Sequence, residues 1–360
     1  MKNAIFEYLE PTVQDKNFLW RNAIFVFDTN ILLNLYRFSK KTRDALISSM
    51  KNRKERIWIP YQVSYEFMEK RCDVILESVK RYEDLKNEAD SFTKHCIQQL
   101  RKKSSDAEVE QLRNQLNGWL AKEQMNELLV SNPLEDIILS QLMELFEGKV
   151  GRKFTDEEID NIKKEGENRY AEGLPPGYKD AKKKISVNDD NNMFGDLIIW
   201  KQIIEYSRTE KKDILFIIND RKEDWWNIIH GKTIGPRVEL RKEFYEETSQ
   251  KFHMYTMESF LQRCNDEDGE ILAEGVLEEI TNIGKERKRK AKKQQKREID
   301  KNKQIEDLQR RIKNKQEFID FINQQENEDM MTEKLRNQLS QLQYGKKTLE
   351  KRLHNLMVDR

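Results

Sequence analysis

The chain has 360 residues, of which 37% are apolar and 36% charged. That is room for about two domains of about 150 residues each, and the surplus of charge predicts exposed helices or a coiled coil beside an ordinary core. No apolar run reaches the roughly 18 residues of a membrane-spanning helix, and Met1-Lys2-Asn3-Ala4-Ile5-Phe6-Glu7-Tyr8 lacks the apolar core of a secretory signal.

Cys72, Cys96 and Cys264 are scattered, odd in number and without zinc-type spacing, which reads as buried thiols in a reducing cytoplasm. The net charge of +1 hides an asymmetry: between Lys285 and Lys303 stand eleven Lys/Arg against three acids, so the remainder is net acidic.

Residues 23 to 28 form the first predicted strand, an Ala-Ile-Phe-Val-Phe run that ends abruptly in Asp28-Thr29-Asn30. The segment Ile31 to Arg37 starts a helix, and Asn30, Asn34 and Arg37 fall on one of its faces. Arg56 to Pro60 is a second strand stopped by proline, and Tyr61 opens the next helix with Glu66 in its first turns. From about Arg71 to Val150 the pattern is long, helical and charged, broken once at Asn132-Pro133, and predicts an inserted helical hairpin.

Thr155-Asp156-Glu157-Glu158 is a capping-box signal for another helix. Gly173 to Asp180, with two prolines and two glycines, predicts an irregular loop. Gly195 to Ile204 is the most apolar helix, and Asp196 stands at its start. A second strand-like run, Ile214 to Ile218, ends in Asn219-Asp220 as the first ended in Asp28. Lys251 to Thr256 supplies a last strand, and Glu258 to Leu261 leaves it as a helix. Strands alternating with helices predict an α/β fold, a mostly parallel sheet flanked by helices.

The C-terminal part differs in kind. Ile305, Leu308, Ile312, Lys315, Ile319 and Ile322 form one heptad seam; Leu335, Leu339, Leu342, Lys346, Leu349, Leu353 and Leu356 form another. The polar stretch Asn323 to Asp329 breaks the phase, which predicts a coiled-coil helical hairpin. The organisation is then a body over 1–265 with its insertion at 71–150, a basic helical linker over 266–303, and the hairpin over 304–360. The hairpin needs its own partner helix, a second copy or another protein to cover its seams.

Four acids stand at element ends: Asp28, Glu66, Asp196 and Asp220. Carboxylate oxygens are the ligands hard divalent cations select, open α/β sheets bind along the C-terminal strand edge, and clustered carboxylates holding two cations drive phosphoryl hydrolysis. The same residues also admit a plain reading, since an Asp opening a helix is an ordinary N-cap. Trp225-Trp226 can stack bases but reads better as core. The basic stretch suits either a phosphate backbone or a solvated connecting helix.

In this order, Phe27-Asp28-Thr29-Asn30-Ile31-Leu32-Leu33, Ile59-Pro60 with Glu66, Asp196 opening an apolar helix, and Ile218-Asn219-Asp220 resemble the PIN domain nucleases. Leu35-Tyr36-Arg37, Pro175-Pro176-Gly177-Tyr178-Lys179-Asp180, Asp196 to Lys201 and Glu223-Asp224-Trp225-Trp226 resemble more narrowly a bacterial PIN-like branch, whose members carry helical insertions and occur among defence or toxin-like genes. The resemblance spans about residues 20 to 262 and leaves the tail outside.

It implies a parallel-sheet fold, Mg²⁺ or Mn²⁺, and phosphodiester hydrolysis, with RNA (tRNA or another structured RNA) favoured over DNA. By position, Asp28, Glu66, Asp196 and Asp220 would hold metal and position the attacking water, and Asn30 would orient the first carboxylate. Arg37 and Lys179 are candidates for phosphate contact or for structural ion pairs, and Asp180 and Asp224 for additional acids. Ile218 stands where many relatives have Thr. Two other expectations are carried beside this one: a DNA nuclease of the same fold, and a non-catalytic scaffold that binds nucleic acid through its basic segment and partners through its coiled coil.

Overall fold

The computed structural model describes residues 6–100, 103–127, 130–179, 193–219, 222–269, 272–325 and 333–358. The chain forms two compact units, Met1–Asn282 and Ile283–Arg360.

In the first unit a four-stranded parallel sheet is built from β1 (Ile24–Phe27), β2 (Ile57–Trp58), β3 (Ile214–Ile218) and a strand at Phe252–Thr256, in the order β2-β1-β3 and then Phe252–Thr256. β1 and β3 are short and wholly buried, as strands covered by helices on both faces must be. Their register pairs Phe27 with Ile217, and the Asp28 amide donates to the Ile217 carbonyl at 3.0 Å, one step beyond the assigned strand.

Alternation along the strands sorts the side chains into two layers. Phe25 and Phe27 meet Trp20 and Phe260 on one face. This face is covered by α1 (Val13–Asn22), α3 (Lys40–Lys51) and the helix Met257–Asp268. Phe216 and Phe252 point the other way, against Trp225 and Trp200. Each such tilted or edge-on aromatic pair adds about 0.5–1.5 kcal/mol beyond the area it buries.

Between β1 and β2 lie α2 (Thr29–Asn34) and α3. The helix expected to run to Arg37 starts earlier and stops at Asn34, because Asp28 caps its N-terminus and the chain then turns through residues 35–38. Buried Arg43 fixes that turn by donating to the carbonyls of Leu35 and Phe38.

After β2 comes α4 (Tyr61–Leu100), 40 residues or roughly 60 Å at 1.5 Å per residue. It pairs antiparallel with α5 (Lys103–Glu127): Asn117 bonds Asp90, and Lys86 bonds Gln124. The first arm of this hairpin is therefore the same helix that bears Glu66. After α6 (Ile137–Leu145) the chain returns beside β2, where Ile59 pairs in parallel with Val150.

α7 (Asp156–Glu172) begins with the expected capping box, Thr155 and Glu158 bonding each other's backbone amides, and ends on Gly173 in the left-handed conformation. α8 (Gly195–Glu210) follows, then β3, then an antiparallel hairpin of β4 (Trp226–Ile229) and β5 (Lys232–Pro236), α9 (Val238–Thr248), β6 (Phe252–Thr256) and α10 (Met257–Asp268). Trp225 and Trp226 are both buried.

α11 (Val276–Gln325) is one 50-residue helix that includes the basic stretch, and α12 (Glu333–Val358) follows. In the second unit Ile305, Leu308, Ile312, Lys315, Ile319 and Ile322 are all buried or half-buried while their neighbours are mostly exposed. Leu339, Leu342, Lys346, Leu349, Leu353 and Leu356 show the same pattern. The seam lysine Lys315 is accommodated by a glycine: a Cβ at Gly345 would lie 3.1 Å from its Nζ. Lys346 bonds Glu350 one turn on, at 3.3 Å.

Candidate active site

Asp28 ends β1 on the side of the sheet that faces α4 and α8. As the N-cap of α2 it accepts the Asn30 amide at 3.3 Å, and the Asn30 side chain bonds it as well. Burial, and then the charge of Glu66, push its carboxyl up to about 6; Lys222 and the Asn30 bonds only partly offset this. A carboxylate buried beside a second one is an excess of negative charge that water cannot relieve.

Glu66 lies in the second turn of α4. It accepts Gln62 Nε2 at 3.1 Å, Lys70 Nζ at 3.0 Å and Thr29 Oγ1 at 3.4 Å. The orientation of α4 is set at its start, where the Gln62 amide donates to buried Gln202 on α8 at 2.9 Å.

Asp196 occupies the first turn of α8. Its Oδ2 accepts Trp225 Nε1 at 3.4 Å and lies 4.0 Å from Lys222 Nζ. The loop after α7 packs against it: a Cβ at Gly177 would be 3.2 Å from the Asp196 Cβ, and Gly177 has φ +92°. Glycine is thus required there twice, for backbone conformation and for space. Next in the chain, Gly195 admits the Glu66 carboxylate, since its own Cβ would lie 2.8 Å from Glu66 Oε1.

Three of the four expected acids therefore share one edge of the sheet, linked by the Asp28–Glu66 repulsion and the Glu66–Gly195 approach. Asp220, which follows β3 by two residues, lies outside the described residues, as does Asp180. Among the described residues no three His, Cys, Asp or Glu side chains close into a metal-binding group. The donor set is nonetheless all-oxygen and under-neutralised at Asp28, which fits a hard divalent cation.

The remaining candidates have protein partners. Arg37 donates to Asn34 at 3.3 Å and lies 3.7 Å from Glu77. The Lys179 ammonium pairs with Glu223, and its amide donates to Asp224 at 3.4 Å. Asp224 is fully buried. In the sequence alone Lys222 and Lys70 have no assigned role, and Gly177 and Gly195 stand only as members of a motif and a helix; for Lys222 the available signal is its place two residues after Asp220.

A parallel sheet whose strand β1 ends in a carboxylate, with a helix-borne Glu beside it and a second helix-borne Asp next to that Glu, defines an α/β protein with an acidic site at the strand edge. The chain belongs to the PIN like domain family, whose model matches residues 24–240. That match begins on the first residue of β1 and ends in α9, so it encloses all the acids described. No curated protein and no solved structure matches the chain. PIN domains are generally nucleases, and the fold is a nuclease fold. Among the described residues no helix is long and apolar enough to cross a membrane.

Proposed function

We propose that this protein is a metal-dependent phosphodiesterase, an endoribonuclease acting on tRNA or another structured RNA in a bacterial defence or toxin-like role. The reading is carried by one observation: buried Asp28, with its proton affinity raised by burial and by Glu66, sits at the sheet edge that also receives Asp196. Like charges at that depth are costly unless a cation neutralises them.

Asp28, Glu66 and Asp196, with Asp220, would hold Mg²⁺ or Mn²⁺, which when bound activates water and stabilises the leaving oxygen. Asn30 holds Asp28 in place, Thr29 and Gln62 orient Glu66, and Trp225 orients Asp196. RNA rather than DNA rests on the resemblance to the PIN domain family, and the defence role on the likeness of the Pro175 to Asp180 and Glu223 to Trp226 motifs to the bacterial branch. A cytoplasmic setting rests on the scattered, odd-numbered cysteines Cys72, Cys96 and Cys264. Self-association or a partner protein is assigned to the outer face of the C-terminal hairpin, where Phe318, Phe321 and Tyr344 are exposed.

The test is cleavage of matched RNA and DNA oligonucleotides and of total tRNA, with Mg²⁺ or Mn²⁺ and with EDTA, by wild type and Asp28→Asn. RNA cleavage that needs the metal and is lost in the variant supports the reading. DNA-only cleavage converts it to a DNA nuclease; binding without cleavage, equal in both proteins, replaces it with a scaffold.

A further inference from the structure

In the turn that follows Asp220, the described residues Lys222, Glu223, Asp224 and Trp225 each have a side-chain partner. Lys222 Nζ lies 4.0 Å from Asp196 Oδ2, and Trp225 Nε1 donates to that same oxygen at 3.4 Å. Glu223 takes the Lys179 ammonium, and Asp224 takes the Lys179 amide at 3.4 Å. The turn closes on itself because the Lys222 carbonyl accepts the amides of Trp225 at 3.2 Å and Trp226 at 3.0 Å. Buried Trp225 then locks it under Trp200 and Phe216.

We infer that Lys222 is the built-in counterion of the acidic site, a positioning residue whose ammonium balances Asp196 and Asp28 and which a divalent cation must displace electrostatically in order to bind. Two acids from different parts of the chain are served by this one lysine: Asp196 on α8 lies 4.0 Å from its Nζ, and its charge also acts on buried Asp28 just after β1. Lys70 does not duplicate it, because Lys70 bonds Glu66 from the same helix one turn away. A cation already among carboxylates lowers the gain from adding another; removing it therefore raises affinity for metal while destabilising the metal-free protein. The competition half of this inference rests on reading the acids as cation ligands, whereas the counterion half does not.

The experiment compares full-length wild type with Lys222→Met, which keeps the aliphatic stem, first in EDTA. The thermal midpoint of Lys222→Met falls by about 2–4 °C, and Lys222→Met/Asp196→Asn recovers it, because the unbalanced charge is gone. Calorimetric titration with Mn²⁺ at low salt then gives a dissociation constant about fivefold or more tighter for Lys222→Met than for wild type. An unchanged midpoint in EDTA, or no recovery in the double variant, overturns the counterion assignment. An equal or weaker Mn²⁺ affinity overturns the competition. A recovered midpoint in proteins that bind no Mn²⁺ keeps the counterion and removes the metal reading instead. Should Lys222→Met alone fail to fold, the double variant must fold; failure of both overturns the assignment.

Discussion

Gly195 and the Glu66 carboxylate are in direct approach: a methyl group at residue 195 would stand 2.8 Å from Glu66 Oε1. The contact couples α8 to α4 through an empty position and brings Glu66 next to the helix turn that bears Asp196. The clashing atom is the end of a flexible side chain, so it moves rather than the backbone.

Gly195→Ala separates the site from the fold. Alanine in the first turn of α8 favours the helix by up to about 1 kcal/mol over glycine, so thermal stability stays level or rises. Glu66 is pushed out of place, and cleavage falls about tenfold or more, since a displacement of about 1 Å costs of that order or beyond. Full activity with unchanged stability would remove Glu66 from the machinery.

Asp28 makes the metal-free protein sensitive to pH in an unusual direction. The folded protein keeps this proton until about pH 6, while an unfolded aspartate releases it near pH 4. Between those values the folded state binds more protons, so stability falls as pH rises, by up to about 3 kcal/mol in total. Asp28→Asn removes the deficit and keeps a competent N-cap for α2. In EDTA the variant is therefore more stable than wild type at pH 7.5 and equal to it at pH 4, while its hydrolytic rate drops at least about a hundredfold. Urea titrations at the two values decide it, and parallel pH slopes would contradict the assignment.

His253 acts in the opposite sense on the other side of the sheet. It is buried on β6, its Nδ1 has no hydrogen-bond partner, and its ring meets Tyr255 edge-on. Burial first, then the charges of Lys16, Arg241 and Arg263, lower its pKa to about 3. The unfolded histidine takes a proton near pH 6.5, so stability present above that value is lost as pH falls toward 3, at up to about 1.4 kcal/mol per pH unit. His253→Phe flattens the acid limb, saving about 2 kcal/mol between pH 7 and pH 5 relative to wild type. An unaltered acid limb in the variant would show that other groups control it.

What was legible in the sequence is what local chemistry decides. The apolar runs before Asp28 and Asn219 end where β1 and β3 end, Thr155 and Glu158 close their capping box, and the 3-4 spacing from Ile305 to Ile322 matches the covered face of α11. The β4–β5 hairpin was missed because its two-residue turn is His230-Gly231, both at positive φ. Such turns are ordinarily signalled by Asn-Gly or Asp-Gly, and histidine carries no such signal. The approach of Lys222 to Asp196, and of Glu66 to Gly195, depends on how distant elements pack, and no spacing encodes it.

The start of α11 belongs to the body of the protein through Glu279. Its carboxylate accepts the Ser39 amide at 2.6 Å, Ser39 Oγ at 2.6 Å and Thr42 Oγ1 at 2.5 Å. Ser39 makes no side-chain cap of its own at α3, so a residue 240 positions away supplies it. Val276 and Ile280 are buried on the same turns, and Thr281 bonds Glu258 on α10. A chain ending at Asn282 should therefore unfold at nearly the temperature of the full protein, whereas one ending at Glu274 loses both the cap and the apolar contacts. Glu279→Ala alone costs about 1–3 kcal/mol, since charge-assisted bonds to a half-buried helix start are lost. Thermal unfolding of the two shortened chains and of Glu279→Ala, each against the full protein, checks this. Equal midpoints for the chains ending at 282 and 274 would mean that α3 finds its cap elsewhere and that the long helix is merely attached.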